Sequence, residues 1–125
     1  MGQYHYVVNL DKKEFLHPHK FNDGLKIREF GCSSDGTMTG LALLLSNSGN
    51  GRGGGDFNHG ESLDWLGRWA GDRIVIAGDY AKPGDKCESE EPDNTIYSQC
   101  DGDTYVDISY DVVRELVKGH NIRTE

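Results

Sequence analysis

Three groups of residues in this chain have types and spacings that could do chemistry. The first is His17 and His19 of "HPH". On an extended strand, residues two apart face the same way, so both imidazoles could reach one divalent ion. The third ligand would come from "GDFNHGE", where His59, Glu61 and Asp56 are the natural candidates; the hydrolytic reading takes His59. Glu61 or Asp56 would then be the base that activates a metal-bound water. That chemistry would be hydrolysis of a small phosphoester, with zinc or another divalent metal as cofactor. The spacing matches no metal signature, and the ordinary reading is a pair of surface or edge histidines.

The second group is "WLGRWAGDR", which places Trp65, Arg68, Trp69 and Arg73 close together. Two indoles and two guanidinium groups can line a pocket for a base and a phosphate. The commoner use is packing for the rings, with the arginines paired to Asp64 and Asp72. The third group is "SNSGNGRGGGDFNHGES", residues 46–62, with six glycines around Arg52. Its "GNGRGG" formally matches G-x-G-x-x-G. A dinucleotide fingerprint, however, needs a strand before the glycines and a helix starting inside them. Here a leucine-rich helix is expected first, and no G-K-[ST] follows. Backbone N–H groups with Arg52 could still hold an anion. The alternative is slack, or a loop that orders against a partner. Asp101, Asp103 and Asp107 of "DGDTYVD" lack the calcium-loop spacing. No G-x-S-x-G is present, and no nucleophile stands out.

The elements that must position these residues come from a chain of 125 residues, which fits one domain. Such a domain buries roughly two-thirds of its unfolded surface and needs no metal or disulfide to fold. Apolar content is 35%, with 17 glycines, so a compact core with much loop is expected. The formal charge is −8, from 21 acidic against 13 basic residues. Duplex nucleic acid and anionic membranes repel such a surface. "LALLL" is far too short to span a bilayer. The opening "MGQYHYVVNLDKK" lacks the basic start and apolar run of a signal peptide, and Tyr6 stands where myristoylation needs Ser or Thr. Cys32, Cys87 and Cys100 form no CxxC. They read as reduced thiols of a cytoplasmic protein, the alternative being a Cys87–Cys100 bridge across the acidic loop.

Along the chain, "QYHYVVNL" (3–10) reads as a strand with apolar residues on both faces, hence inside a sheet. "EFLHPHKF" (14–21) reads as its hairpin partner, and Pro18 puts the end of that strand at an edge or a break. "DGLKIREFG" fits a strand or a single helical turn. Residues 37–47 read as a helix with Thr37 as cap, weakened by Gly40 unless close packing requires it. Residues 61–71 read as a short helix, 72–81 as the clearest strand, and "TIYSQC" and "TYVDISY" as short strands. Residues 111–119 read as a helix with Val112, Val113, Leu116 and Val117 inward and Gly119 at its end. Residues 82–94 form an acidic polar loop.

"MGQYHYVVNLDKKEFLHPHKF", with "GTMTGLALLL" and "WAGDRIVIAGDYA", resembles an uncharacterised family of short proteins met in bacterial, especially actinobacterial, and bacteriophage genomes. The likeness covers most of residues 1–81. It implies a cytoplasmic accessory protein of a phage or its host, and it transfers no catalytic residue.

The expected fold is one α+β domain. A mostly antiparallel sheet holds strands near 3–10, 14–20, 72–81 and 104–110. Helices near 37–47 and 111–119 pack on one face, and flexible loops lie near 46–62 and 82–94. The function favoured is a non-enzymatic binding module for a small anionic, nucleotide-like ligand or a protein partner, with no cofactor expected. A virion structural or host-interaction protein is one alternative, and a small metal-dependent phosphoester hydrolase is the enzymatic one. Self-association is compatible with each of them.

Overall fold

The computed structural model describes residues 2–32, 35–48, 56–57 and 63–121. Strand β1 (His5–Asn9) is buried along its whole length, as apolar residues on both faces require. It forms a hairpin with β2 (Glu14–Leu16), with Val7 opposite Leu16 and Asn9 opposite Glu14. The Asn9 side chain makes the turn. Its Oδ1 accepts from the backbone N–H groups of Asp11 and Lys12 at 2.9 and 2.7 Å, the local bond that favours Asn at such corners.

The second strand is shorter than expected. It stops at Leu16, and Pro18–Phe21 is a 3-10 turn. Proline has no N–H to give a ladder, and its fixed φ suits the first position of a helical turn. Next come α1 (Ile27–Phe30), the single turn that was one of two expectations for that stretch, and α2 (Thr37–Leu45). Gly36, not Thr37, caps α2. Thr37 is instead buried, and its hydroxyl and N–H donate to Asp23 Oδ2 at 2.6 and 2.7 Å. Gly40 is there for closeness: a Cβ on it would lie 2.9 Å from Val112 Cγ1 and 3.0 Å from Phe21 Cε2.

Residues 63–72 are a run of tight turns rather than the expected helix. Arg68, Ala70 and Asp72 each donate to the carbonyl three residues back. Gly67 and Gly71 hold φ of 80° and 86°, left-handed values that end any helix. The run lies beside the end of α2, where the N–H groups of Gly67 and Trp69 satisfy the carbonyls of Leu43 and Leu44.

Strand β3 (Ile74–Gly78) is where the sequence puts it. The "TIYSQC" stretch forms a helix, α3 (Ile96–Asp101), not a strand. Thr95 Oγ1 caps it from Ser98 N–H at 3.2 Å, and Ile96 and Cys100, one turn apart, are both buried. The last strand, β4, shrinks to Val106–Asp107, and α4 runs from Ser109 to Asn121.

The sheet order is β3-β1-β2-β4. β1 is antiparallel to both neighbours, but β2 and β4 are parallel, so the sheet is mixed rather than mostly antiparallel. Helices α2 and α4 share one face, as expected, and α3, where a strand was expected, covers the other. On one face Val7 and Leu16 pack with Leu43 and Leu44 of α2, Val112 and Leu116 of α4, and Trp69. On the other, Tyr6, Val8, Phe15 and Ala77 pack with Ile96 and Cys100 of α3 and with Tyr105. Each fully buried Leu or Val contributes about 1.5–3 kcal/mol. No described helix is long and apolar enough to cross a membrane.

Candidate partner-docking edge

The sheet brings Trp65, Arg68 and Trp69 together around one buried carboxylate. Glu14 faces the α2/α4 side of β2, and Trp69, fully buried, donates its indole N–H to Glu14 Oε1 at 2.8 Å. Arg68 Nε donates to the same oxygen at 3.1 Å, and a second guanidinium N–H reaches Oε2. The guanidinium also lies 4.8 Å above the Trp65 ring. Burial pushes the Glu14 carboxyl up, but the Arg68 and Trp69 donors outweigh it and hold the group below its usual range.

Arg73 stands elsewhere. It pairs with Asp11, Nε to Oδ1, at 2.8 Å. The arginine partners are thus Glu14 and Asp11, not the neighbouring Asp64 and Asp72. Asp72 takes Lys12 and Asn9 instead. Arg73 lines a cleft of about 240 Å³ with Lys13, Asn94, Gln99 and Tyr105. Lys13 Nζ lies 5.1 Å over the Tyr105 ring. Arg52 lies outside the described residues.

His17 and His19 do not share a strand face. His17 caps the 3-10 turn, its Nδ1 accepting from His19 N–H at 3.3 Å, and the two rings sit 5.4 Å apart. The turn made at Pro18 brings them near, in place of strand alternation. Burial beside Tyr6 holds His17 below its usual pKa. His59 and Glu61 lie outside the described residues. Among the described residues no group of three or more His, Cys, Asp or Glu could hold a metal ion. Behind His17, Tyr6 stacks on Tyr97 at 4.2 Å and donates its hydroxyl to Asp101 at 2.7 Å. Of the other acidic residues in "DGDTYVD", Asp107 pairs with Lys20 and Asp103 is exposed. Cys87 is exposed and Cys100 buried, and both are free thiols, so the Cys87–Cys100 bridge is not formed.

A feature the sequence reading missed is the edge of the sheet. β4 is a two-residue edge, whereas β3 presents five residues. Leu10 N–H donates to Arg73 O and Asp79 N–H to Tyr4 O. In an antiparallel ladder, bonded pairs recur every second residue. With Tyr6 opposite Ala77 and Val8 opposite Val75, those pairs carry the β1–β3 bonds. The N–H and C=O of Ile74 and Ile76 therefore point away from the sheet. No backbone hydrogen bond from another described residue reaches them there. Along this edge runs a cleft of about 490 Å³, bounded by Ile27, Val75, Ile76, Tyr80, Asp85 and Glu88 among others. Ile27, Ile76 and Tyr80 are exposed by 47%, 36% and 53%. Sequence could place a strand at "RIVIAG". It could not tell that, among the described residues, only one side of it is paired.

No protein-family model matches the chain, and no curated protein or solved structure matches it either.

Proposed function

We propose that the chain is a non-enzymatic binding module that takes an extended segment of a protein partner along the outer edge of β3. The observation that carries this is the outward-facing backbone of Ile74 and Ile76, unpaired among the described residues, beside a cleft with exposed apolar side chains. Strand addition draws affinity from main-chain hydrogen bonds and specificity from alternate side chains seated in such a cleft. Unprotected edges are otherwise blunted by short length, proline or charge, as β4 is by its length. An accessory role for a phage or its host, which the sequence resemblance implies, fits this mode of binding. The test is to select extended peptides from a random library and then follow amide hydrogen exchange. Slowed exchange at Ile74 and Ile76 on peptide binding supports the reading. Unchanged exchange there, with binding intact, counts against it.

A second reading, a small anionic ligand, is favoured by the cleft that holds Arg73. Lys13 has no carboxylate at ion-pair distance among the described residues, and the Asn94 side chain lies nearby, while Glu88 lines the same cleft and Gln99 Nε2 donates to Asn94 O at 3.2 Å. A thermal-shift screen of nucleotides against the wild type and Lys13→Ala tests it. A stabilising nucleotide whose effect vanishes in the variant supports this site.

A further inference from the structure

We infer that the occupant of the β3 edge is an extended partner segment with basic side chains on either side of an apolar one. This rests on the docking reading above and refines it from a mode of binding to a chemical class.

The argument starts from strand parity. A partner strand bonded to Ile76 sets one of its residues opposite Ile76 and that residue's neighbours opposite Val75 and Ala77. Residues directly opposite one another share a face of the sheet. Ile76 lies opposite Val7, on the α2/α4 face. Exposed Ile27 of α1 lines the cleft too, and Phe30 of α1 packs in that same core. The central partner residue therefore projects beside two exposed isoleucines, which is a place for an apolar side chain.

Val75 and Ala77 face the other way, toward α3. The chain that leads into α3 bounds the cleft on this side. Residues 79–94 carry six carboxylates, at Asp79, Asp85, Glu88, Glu90, Glu91 and Asp93, against Lys82 and Lys86. Three of them are fixed by backbone N–H donors. Asp79 accepts from Tyr4 at 2.9 Å, Asp85 from Lys82 at 2.9 Å, and Glu88 from Ile96 at 3.0 Å. Amide donors hold a carboxylate in place without cancelling its charge. No ion pair neutralises any of the six among the described residues. Of these side chains Asp85 and Glu88 line the cleft itself, together with Lys86. The partner residues opposite Val75 and Ala77 thus meet a wall of net negative charge with two fixed carboxylates, and lysine or arginine complements it. A second copy of the chain is the poorer occupant. Edge-to-edge pairing would bring two such walls together on chains that each carry −8, and like charges repel at that range.

The test uses the full chain and three labelled peptides that differ only at the two flanking positions, with Lys-Ile-Lys, Thr-Ile-Thr and Glu-Ile-Glu centres. Fluorescence anisotropy at low salt reads the affinities. Two exposed ion pairs predict that the lysine peptide binds about three- to tenfold more tightly than the threonine peptide. The gap should close near about 0.5 M salt, where screening is short-ranged. Asp85→Asn should narrow the gap while leaving the threonine peptide's affinity unchanged. Ile76→Pro removes the outward N–H without taking a bond from the β1–β3 ladder, and should abolish binding. Should that variant misfold, slowed exchange of the wild-type Ile76 amide on peptide addition gives the same information. Equal affinities for the lysine and threonine peptides, both lost in Ile76→Pro, would overturn the basic-segment inference and leave edge docking standing. Undiminished binding by folded Ile76→Pro, or no binding by any peptide, would overturn both. A dimer seen by light scattering and dissolved by Ile76→Pro would make the occupant a second copy and overturn the inference.

Discussion

The indole N–H of Trp69 and the carboxylate of Glu14 meet at 2.8 Å inside the core, joining the 63–72 turns to the hairpin. Neither side chain has water to fall back on. Glu14→Ala leaves a buried indole donor without its acceptor, which costs about 1–3 kcal/mol. Urea unfolding should show that loss as a lower midpoint at unchanged slope. Trp69 fluorescence should shift in the native baseline of the same variant.

Acid should act in two stages. His17 is held below its usual 6.5 by burial, so between the folded and unfolded values the unfolded chain binds the extra proton. Stability is full above that usual value and declines as pH falls below it. Glu14 and Asp107 are held below the usual carboxylate range, by Arg68 and Trp69 for the one and by Lys20 and Ser109 for the other, despite the opposing effect of burial. Their contribution is present above the unfolded carboxylate values, about 4, and is lost as pH falls through the folded ones. Melting temperatures at neutral, mildly acidic and strongly acidic pH check this. His17→Asn keeps a capping acceptor and should flatten only the upper stage.

Gly40→Ala should destabilise α2 even though alanine is the better helix former. The propensity gain is about 1 kcal/mol. The added methyl would sit 2.9 Å from Val112 Cγ1, and overpacking of that kind costs about 1–3 kcal/mol. A net loss in chemical denaturation is the expected result. A gain would mean that Phe21 and Val112 can move aside.

The thiols should sort by burial. Cys32 and Cys87 are exposed, whereas burial pushes the Cys100 thiol up to about 12. Only the thiolate reacts, so iodoacetamide should label two cysteines of the native protein quickly and the third only on unfolding. Mass spectrometry of peptides identifies the sites.

The sequence showed elements whose pattern is local. β1 and β3 are runs of β-branched and aromatic residues, and α4 has an apolar stripe. Where tertiary contacts decide, it misled. "TIYSQC" has strand composition, yet Thr95 caps it and the α3-side core buries Ile96 and Cys100 together. The stretch at 61–71 has helical spacing, but the left-handed Gly67 and Gly71 deny it a helix. The Trp and Arg cluster was legible as a cluster. Its centre, Glu14, was not, because nothing local marks a glutamate fifty-odd positions upstream as its partner. The edge left open among the described residues was invisible for the same reason: which side of a strand is paired is a property of the whole sheet.

The order of the strands also sets the order of assembly. The hairpin of β1 and β2 is made before the elements that cover it, with apolar side chains on both faces. Its covers, α2, β3, α3 and α4, all follow later in the chain, and β4 closes onto β2 only near the end. None of the described elements that cover the hairpin is made before it. Folding must wait for the long-range closure of β3 onto β1 and of β4 onto β2, so it should be slower than that of a helical domain of this size. A nascent chain stalled before Ile74 should therefore be a ready substrate for chaperones and proteases.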